Sequence, residues 1–134
     1  MADSVLTVVV PGRPLSLANA RMHWAARMRA VRDRRSLVRL LGQSVRSAGR
    51  HPKARVKMRA EAVIWLSGVQ FDPDGALSAL KPDVDGLVDA GLLRGDKVGD
   101  VEIGVRQARA KSRREQCVVW TISPILAAEV PQDG

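Results

Sequence analysis

Two aspartates separated by one proline, Asp72 and Asp74 in FDPDG, are the residues whose type and spacing most directly suggest chemistry. Pro73 biases Asp72 toward an extended backbone. In an extended backbone residues two apart share a face, so both carboxylates can converge on one point. Hard divalent cations such as magnesium take carboxylate oxygens as ligands and are used in phosphoryl transfer to polarise the phosphate and generate hydroxide. The tripeptide is therefore half of a candidate metal site. Taken alone it is more readily a plain turn, because Asp, Pro and Gly are all favoured there.

More acid follows, and the run FDPDGALSALKPDVDGLVDAGLLRGD holds an unusual share of the carboxylates in a chain with 22 Lys plus Arg against 14 Asp plus Glu. Clustered carboxylates repel one another, which calls for a neutralising partner. Lys81 lies four residues before Asp85, a spacing that suits either a helical salt bridge or a lysine leaning over the acidic site toward a phosphate. Asp96 follows in LLRGDKVGD, where the chain turns back; a returning helix would bring this loop toward Asp72 and Asp74, although spacing alone does not fix that geometry.

The elements that must position these residues can be read from periodicity. SVLTVVV, ending at Pro11, Gly12 and Pro14, predicts a buried strand and a turn. From Ser16 to Arg50, Trp24, Met28, Val31, Leu37, Leu41 and Val45 recur at helical intervals among Arg27, Arg29, Arg32, Arg34, Arg35, Arg39 and Arg46, which predicts one long basic amphipathic helix closed by Gly49, Arg50, His51 and Pro52. Val56 to Leu66 alternates as a half-buried strand. Leu77, Leu80, Val84, Leu87 and Val88 restore helical spacing up to Gly91, a candidate C-terminal cap, with Pro82 blurring the helix boundary. Val101, Ile103 and Val105 alternate again, and with the basic turn AKSRREQ and the strand CVVWTIS they read as a hairpin. The expected fold is α+β: a single small domain over residues 1–124, a mixed β-sheet with helices packed on one side, and a loose tail over 125–134.

Composition narrows the function classes. A chain of 134 residues with 46% apolar and 27% charged residues suits one folded domain. Aromatics are only 3%, too few for a base-stacking platform. One cysteine, Cys117, and two histidines, His23 and His51, exclude an intramolecular disulfide and leave too few ligands for structural zinc, so a bound metal would be held by oxygen. Cys117 itself reads as a small buried hydrophobe, and Asp100 and Glu102 as exposed strand residues or outer acids of the site. Without a signal-like N-terminus or a transmembrane-length apolar run, the expected location is the cytoplasm, with no membrane partner. A formal net charge of +8 points to a polyanion, with nucleic acid favoured. The arginines of the first helix and Lys111, Arg113 and Arg114 of the basic turn are either DNA contacts or a solvated surface.

The acidic run resembles the motif of the RusA-like Holliday junction resolvases, particularly those of phages and prophages: an Asp-x-Asp pair, a helix lysine, Asp-Gly-Leu-x-x-Ala-Gly, and a later acid. Asp72 and Asp74 fall on the pair, Lys81 on the lysine, Asp85 to Gly91 on the helix segment, and Asp96 on the later acid. VPGRPLSLANARMHW is similar to the family's opening, so the resemblance spans nearly the whole chain. It implies a homodimeric, crossover-junction endodeoxyribonuclease that cuts four-way and branched DNA symmetrically. Asp72, Asp74 and Asp96 would bind magnesium, with manganese a substitute, and Lys81 would act beside them as a catalytic contact to the phosphate. Asn19, Arg21, Arg27, Arg34, Arg35, Lys111, Arg113 and Arg114 are the expected DNA-binding residues. Two departures stand out: Gly75 replaces the usual Asn, and Lys97 replaces a common second acid. They motivate the rival expectation of a non-catalytic DNA-binding protein on the same fold.

Overall fold

The computed structural model describes residues 5–15 and 23–125. Asn19 and Arg21, and the tail apart from Ile125, lie outside the described residues. The elements run β1 (Leu6–Pro11), α1 (Trp24–Ala48), β2 (Met58–Leu66), α2 (Pro73–Ala79), α3 (Lys81–Asp89), β3 (Val101–Arg109), a single 3₁₀ turn (Arg113–Glu115) and β4 (Cys117–Pro124). They form one α+β unit around a four-stranded mixed sheet of order β1-β4-β2-β3, in which β2 and β3 are parallel and β4 is antiparallel to both β1 and β2.

Alternation in the sequence fixes the inner face of the sheet. Met58, Ala60, Ala62, Ile64 and Leu66 of β2 point inward beside Val118, Trp120 and Ile122 of β4 and Val8 and Val10 of β1. Val38 of α1 and Leu80, Val84 and Leu87 of the acidic segment complete the same cluster. The helices thus pack on this one face. On the other face Val9 and Trp65 remain 52% and 38% exposed.

Helices α1 and α3 approach closely because two glycines allow it. A Cβ at Gly86 would stand 2.7 Å from the Arg35 carbonyl oxygen and from the Val38 Cβ, and one at Gly42 would stand 2.8 Å from the Ala90 Cβ. Gly91 follows α3 at φ +83°, a left-handed conformation that closes the helix at little cost only for glycine.

Three expectations are corrected. The predicted hairpin is absent, because β3 and β4 flank β2 on opposite sides. The basic turn steps across the end of β2, where the Ala110 N–H donates to the Leu66 carbonyl and Gln116 Oε1 accepts from Ser67. The predicted helix through 77–91 is two helices, since Pro82 occupies the first turn of α3 and Leu80 serves as the junction. On α1 the buried residues are Val38 and Gly42, with Leu41 and Val45 partly buried, while Trp24, Met28 and Leu37 are exposed. Among the described residues no helix is long and apolar enough to cross a membrane.

Candidate functional site

Because β1, β2 and β3 all run in one direction, the segments that leave them collect at one end of the sheet. That end carries the acidic pair. After β2 the chain passes Phe71, whose backbone is clamped to β3 by the Gln107 side-chain amide: Oε1 accepts from the Phe71 N–H and Nε2 donates to the Phe71 carbonyl, each at 2.8 Å. Asp72 then sits as the N-cap of α2 in extended conformation, its Oδ1 accepting from the Gly75 N–H, with Pro73 in the first turn. Asp74 lies in the same turn, exposed, where the helix dipole favours negative charge. The extended geometry expected of Asp72 is present, and its carboxylate is used for capping. A Cβ at position 75 would stand 2.7 Å from Asp72 Oδ1, so glycine there permits the close cap.

Lys81 opens α3 and gathers the other acids. Its Nζ donates to Asp96 Oδ2 at 2.5 Å and stands 3.2 Å from Asp85 Oδ1. The hydrogen bond to Asp96, reinforced by Asp85, raises the Lys81 pKa against a smaller opposing effect of burial. The same bond holds Asp96 below its ordinary range. Both groups therefore keep their charges throughout the neutral range.

These carboxylates do not assemble into one set. Asp72 and Asp74 stand at the start of α2, where β2 has terminated, whereas Asp96 lies in the connection from α3 to β3 and is bonded to Lys81 at the start of α3. Among the described residues no group of three or more His, Cys, Asp and Glu is placed to hold a metal ion. With Asp72 capping a helix and Asp96 closed on an ammonium, the donor set expected for magnesium is not brought together in this arrangement.

The expected DNA contacts that lie among the described residues differ in their surroundings. Arg34 is engaged within the fold: its Nε and Nη2 donate to the two oxygens of Asp83 at 2.7 and 3.1 Å, its Nη1 donates to the Pro11 carbonyl, and its side chain is 14% exposed. Arg35 forms a two-pronged pair with Asp89, at 2.6 and 2.9 Å, that ties α1 to α3; this bond holds the Asp89 carboxyl below its usual range. Arg27 is half-buried on α1. Lys111, Arg113 and Arg114 are exposed on the turn before β4, at the same sheet end as Asp72 and Asp74.

Sequence reasoning passed over Asp83, the fully buried charge of the core. Besides Arg34 it accepts from Trp120 Nε1 at 3.0 Å, joining α1, α3 and β4 at one point. A signal existed: Asp83 lies three residues after Leu80 and four before Leu87, on the inward face of α3, and Trp120 lies on an inward strand position where its indole N–H needs an acceptor.

No protein-family model matches the sequence, and no curated protein matches it. A search of solved structures finds the bifunctional IspDF from Campylobacter jejuni, at 13% identity and a TM-score of 0.35. That match covers 89% of this chain, which spans 41% of the other, and so weak a likeness carries no functional argument.

Proposed function

We propose that this chain is a metal-dependent, structure-selective endodeoxyribonuclease of RusA-like type, acting on four-way or other branched DNA as a homodimer in the cytoplasm. The observation that carries the reading is the acidic pair Asp72 and Asp74 sharing its sheet end with the exposed Lys111, Arg113 and Arg114, cations suited to the phosphates of a strand. Lys81 and Asp96, fifteen apart and both motif positions, are also in direct contact. In this reading magnesium or manganese is bound by Asp72, Asp74 and Asp96, an assignment that rests on the motif and that the described arrangement does not assemble. The exposed sheet face suits the two-fold contact: it offers Val9, Val63 and Trp65 beside the charge-balanced pair Arg59 and Glu102, as a surface meeting its own copy requires.

A second reading is favoured by a specific observation. Lys81 fills the space between Asp85 and Asp96, and an ammonium held there suits a protein that binds branched DNA without cutting it. Incubation with a labelled four-way junction and a linear duplex, in magnesium, manganese or EDTA, separates the two. Paired, metal-dependent nicks on the junction that disappear in Asp74→Asn support the nuclease. Junction binding without nicks in either metal overturns it in favour of the binding protein.

A further inference from the structure

At the sheet end where β1 and β2 terminate, a cleft of about 540 Å³ is lined by Arg13, Ser67, Gly68, Val69, Arg113 and Gln116. None of its lining residues is acidic, although the acidic pair begins only three residues beyond Val69. The walls are built rather than incidental. Arg13 Nη2 donates to the Val69 carbonyl at 2.9 Å, and its guanidinium lies over the Phe71 ring at 4.6 Å. Phe71 is itself fixed by Gln107, so the Arg13 guanidinium is held on a rigid support immediately before Asp72. On the opposite wall Gln116 is anchored twice: its side chain accepts from the Ser67 N–H and hydroxyl, and its carbonyl accepts from the Gly12 N–H.

Arg113 completes the cleft. Its residue is exposed, and among the described residues its guanidinium makes neither a hydrogen bond nor an ion pair. The two cations therefore differ in kind, one preplaced by stacking and one available, with the backbone at Gly68 open to approach because nothing lies within 4 Å of a Cβ built there. Two guanidinium side chains lining one cleft match the oxygens of a phosphate, and guanidinium is the cation best suited to such two-pronged contacts. Arg114 and Lys111 continue the positive charge along the same turn, which favours a strand of linked phosphates over a single small anion.

We propose that the Arg13 and Arg113 cleft is a phosphate-binding subsite for a nucleic-acid strand, gripping a backbone phosphate next to the one presented to Asp72 and Asp74. This rests on the reading of the acidic segment as a nucleic-acid site, and it assigns Arg13, outside the basic helix and turn, as the contact nearest the acids. The subsite does not depend on cleavage: it positions the strand whether or not the acids act on it.

The test is junction binding by fluorescence anisotropy over a range of salt, without added metal, for the full chain and for Arg13→Gln, Arg113→Gln and Lys53→Gln. Lys53, beside Gly91 at the other end of β2, is the equal-charge control. Neutralising a phosphate contact lowers the slope of log affinity against log salt by about one, and each cleft variant is expected to do so with a roughly tenfold loss of affinity at ~0.1 M salt. Because Arg113 is exposed, its variant keeps the test valid should Arg13→Gln fail to fold. An unchanged slope, with affinity within about twofold of Lys53→Gln, would overturn the proposal. Titration of inorganic phosphate, followed at the arginine Nε resonances, closes the remaining route: saturable shifts at Arg13 and Arg113 with unaltered DNA affinity make the cleft a small-anion site and also overturn it. Absence of nicks in the cleavage assay leaves these readouts intact, so failure of the nuclease reading and failure of the subsite are told apart.

Discussion

Replacing Arg34 by methionine removes the guanidinium that neutralises Asp83 while keeping most of the side-chain length. Asp83 is 0% exposed and keeps only the Trp120 indole as a partner, so the variant leaves a carboxylate in the core without its counter-ion. Breaking a buried pair from one side costs about 3–5 kcal/mol, a large part of the roughly 5–15 kcal/mol that a domain has in total. At this chain length each kcal/mol corresponds to roughly 3–5 °C, so the melting temperature should fall by about 9–25 °C. The double variant Arg34→Met with Asp83→Leu buries neither charge and leaves mainly the indole N–H unsatisfied, at a cost of about 1–3 kcal/mol. It should therefore be more stable than Arg34→Met alone. Urea unfolding of the wild type, Arg34→Met, Asp83→Leu and the double variant measures the cycle. Were Arg34→Met to lose less than about 1 kcal/mol, as exposed helix arginines do, the structural role given to Arg34 would be refuted. Junction binding by the folded fraction of Arg34→Met supplies a second check, because a guanidinium occupied by Asp83 should contribute at most a twofold change.

Gly86→Ala places a methyl 2.7 Å from the Arg35 carbonyl and the Val38 Cβ, so α3 must move away from α1. A loss of about 1–3 kcal/mol is expected, read as a lower urea midpoint, despite alanine's better helix propensity. The Arg35 and Asp89 pair sets a pH dependence: the lowered Asp89 pKa contributes stability that is complete above the ordinary carboxylate value of about 3.9 and is lost as pH falls through the folded value. With the two side chains 48% and 29% exposed, screening limits the pair to about 0.5–1 kcal/mol. Wild type and Asp89→Asn should thus differ at pH 6 and converge toward pH 2 in chemical denaturation; a constant difference across that range would rule the pair out as the cause.

Local periodicity made the strands legible because a two-residue repeat decides which side chains face the core whatever the strand's neighbours are. It could not decide those neighbours: CVVWTIS reads the same beside β3 or between β1 and β2, and the second is set by its ladders with both strands and by the contacts of the turn with Leu66 and Ser67. Helix α1 misled for a related reason. Trp24 and Met28 keep helical spacing with the core-facing Val38 and Gly42, yet both are exposed at the start of α1. Arg34 was unreadable because one arginine among many carries no mark of a buried partner 49 residues away. At the acidic segment the extended Asp72 and the Lys81 pairing with Asp85 followed from spacing, while the choice of Lys81 for Asp96 depends on a loop whose path no local pattern sets.

The acidic motif divides into two parts with different physical causes. Its second half, Gly-Leu-x-x-Ala-Gly, is accounted for by packing: Gly86 admits Val38 and the Arg35 backbone, Leu87 is fully buried, Ala90 meets Gly42, and Gly91 closes the helix with positive φ. Any chain that packs two helices this closely over a sheet meets the same demands, so that half speaks for the fold and is silent on catalysis. In the proposed reading the chemical weight rests on Asp72, Asp74, Lys81 and Asp96, beside which stand the two departures from the resembled motif, Gly75 and Lys97. Gly75 lets Asp72 settle onto the helix terminus, where a side chain at that position would press against its carboxylate. Lys97 adds a positive charge beside Asp96, which Lys81 already holds below its ordinary pKa. Gly75 thus goes with a carboxylate used as a helix cap, while Asp96 is satisfied by Lys81 independently of Lys97. A metal would have to compete with a helix cap at one acid and with an ammonium at another, which makes metal dependence of junction cleavage the property on which the nuclease reading stands or falls.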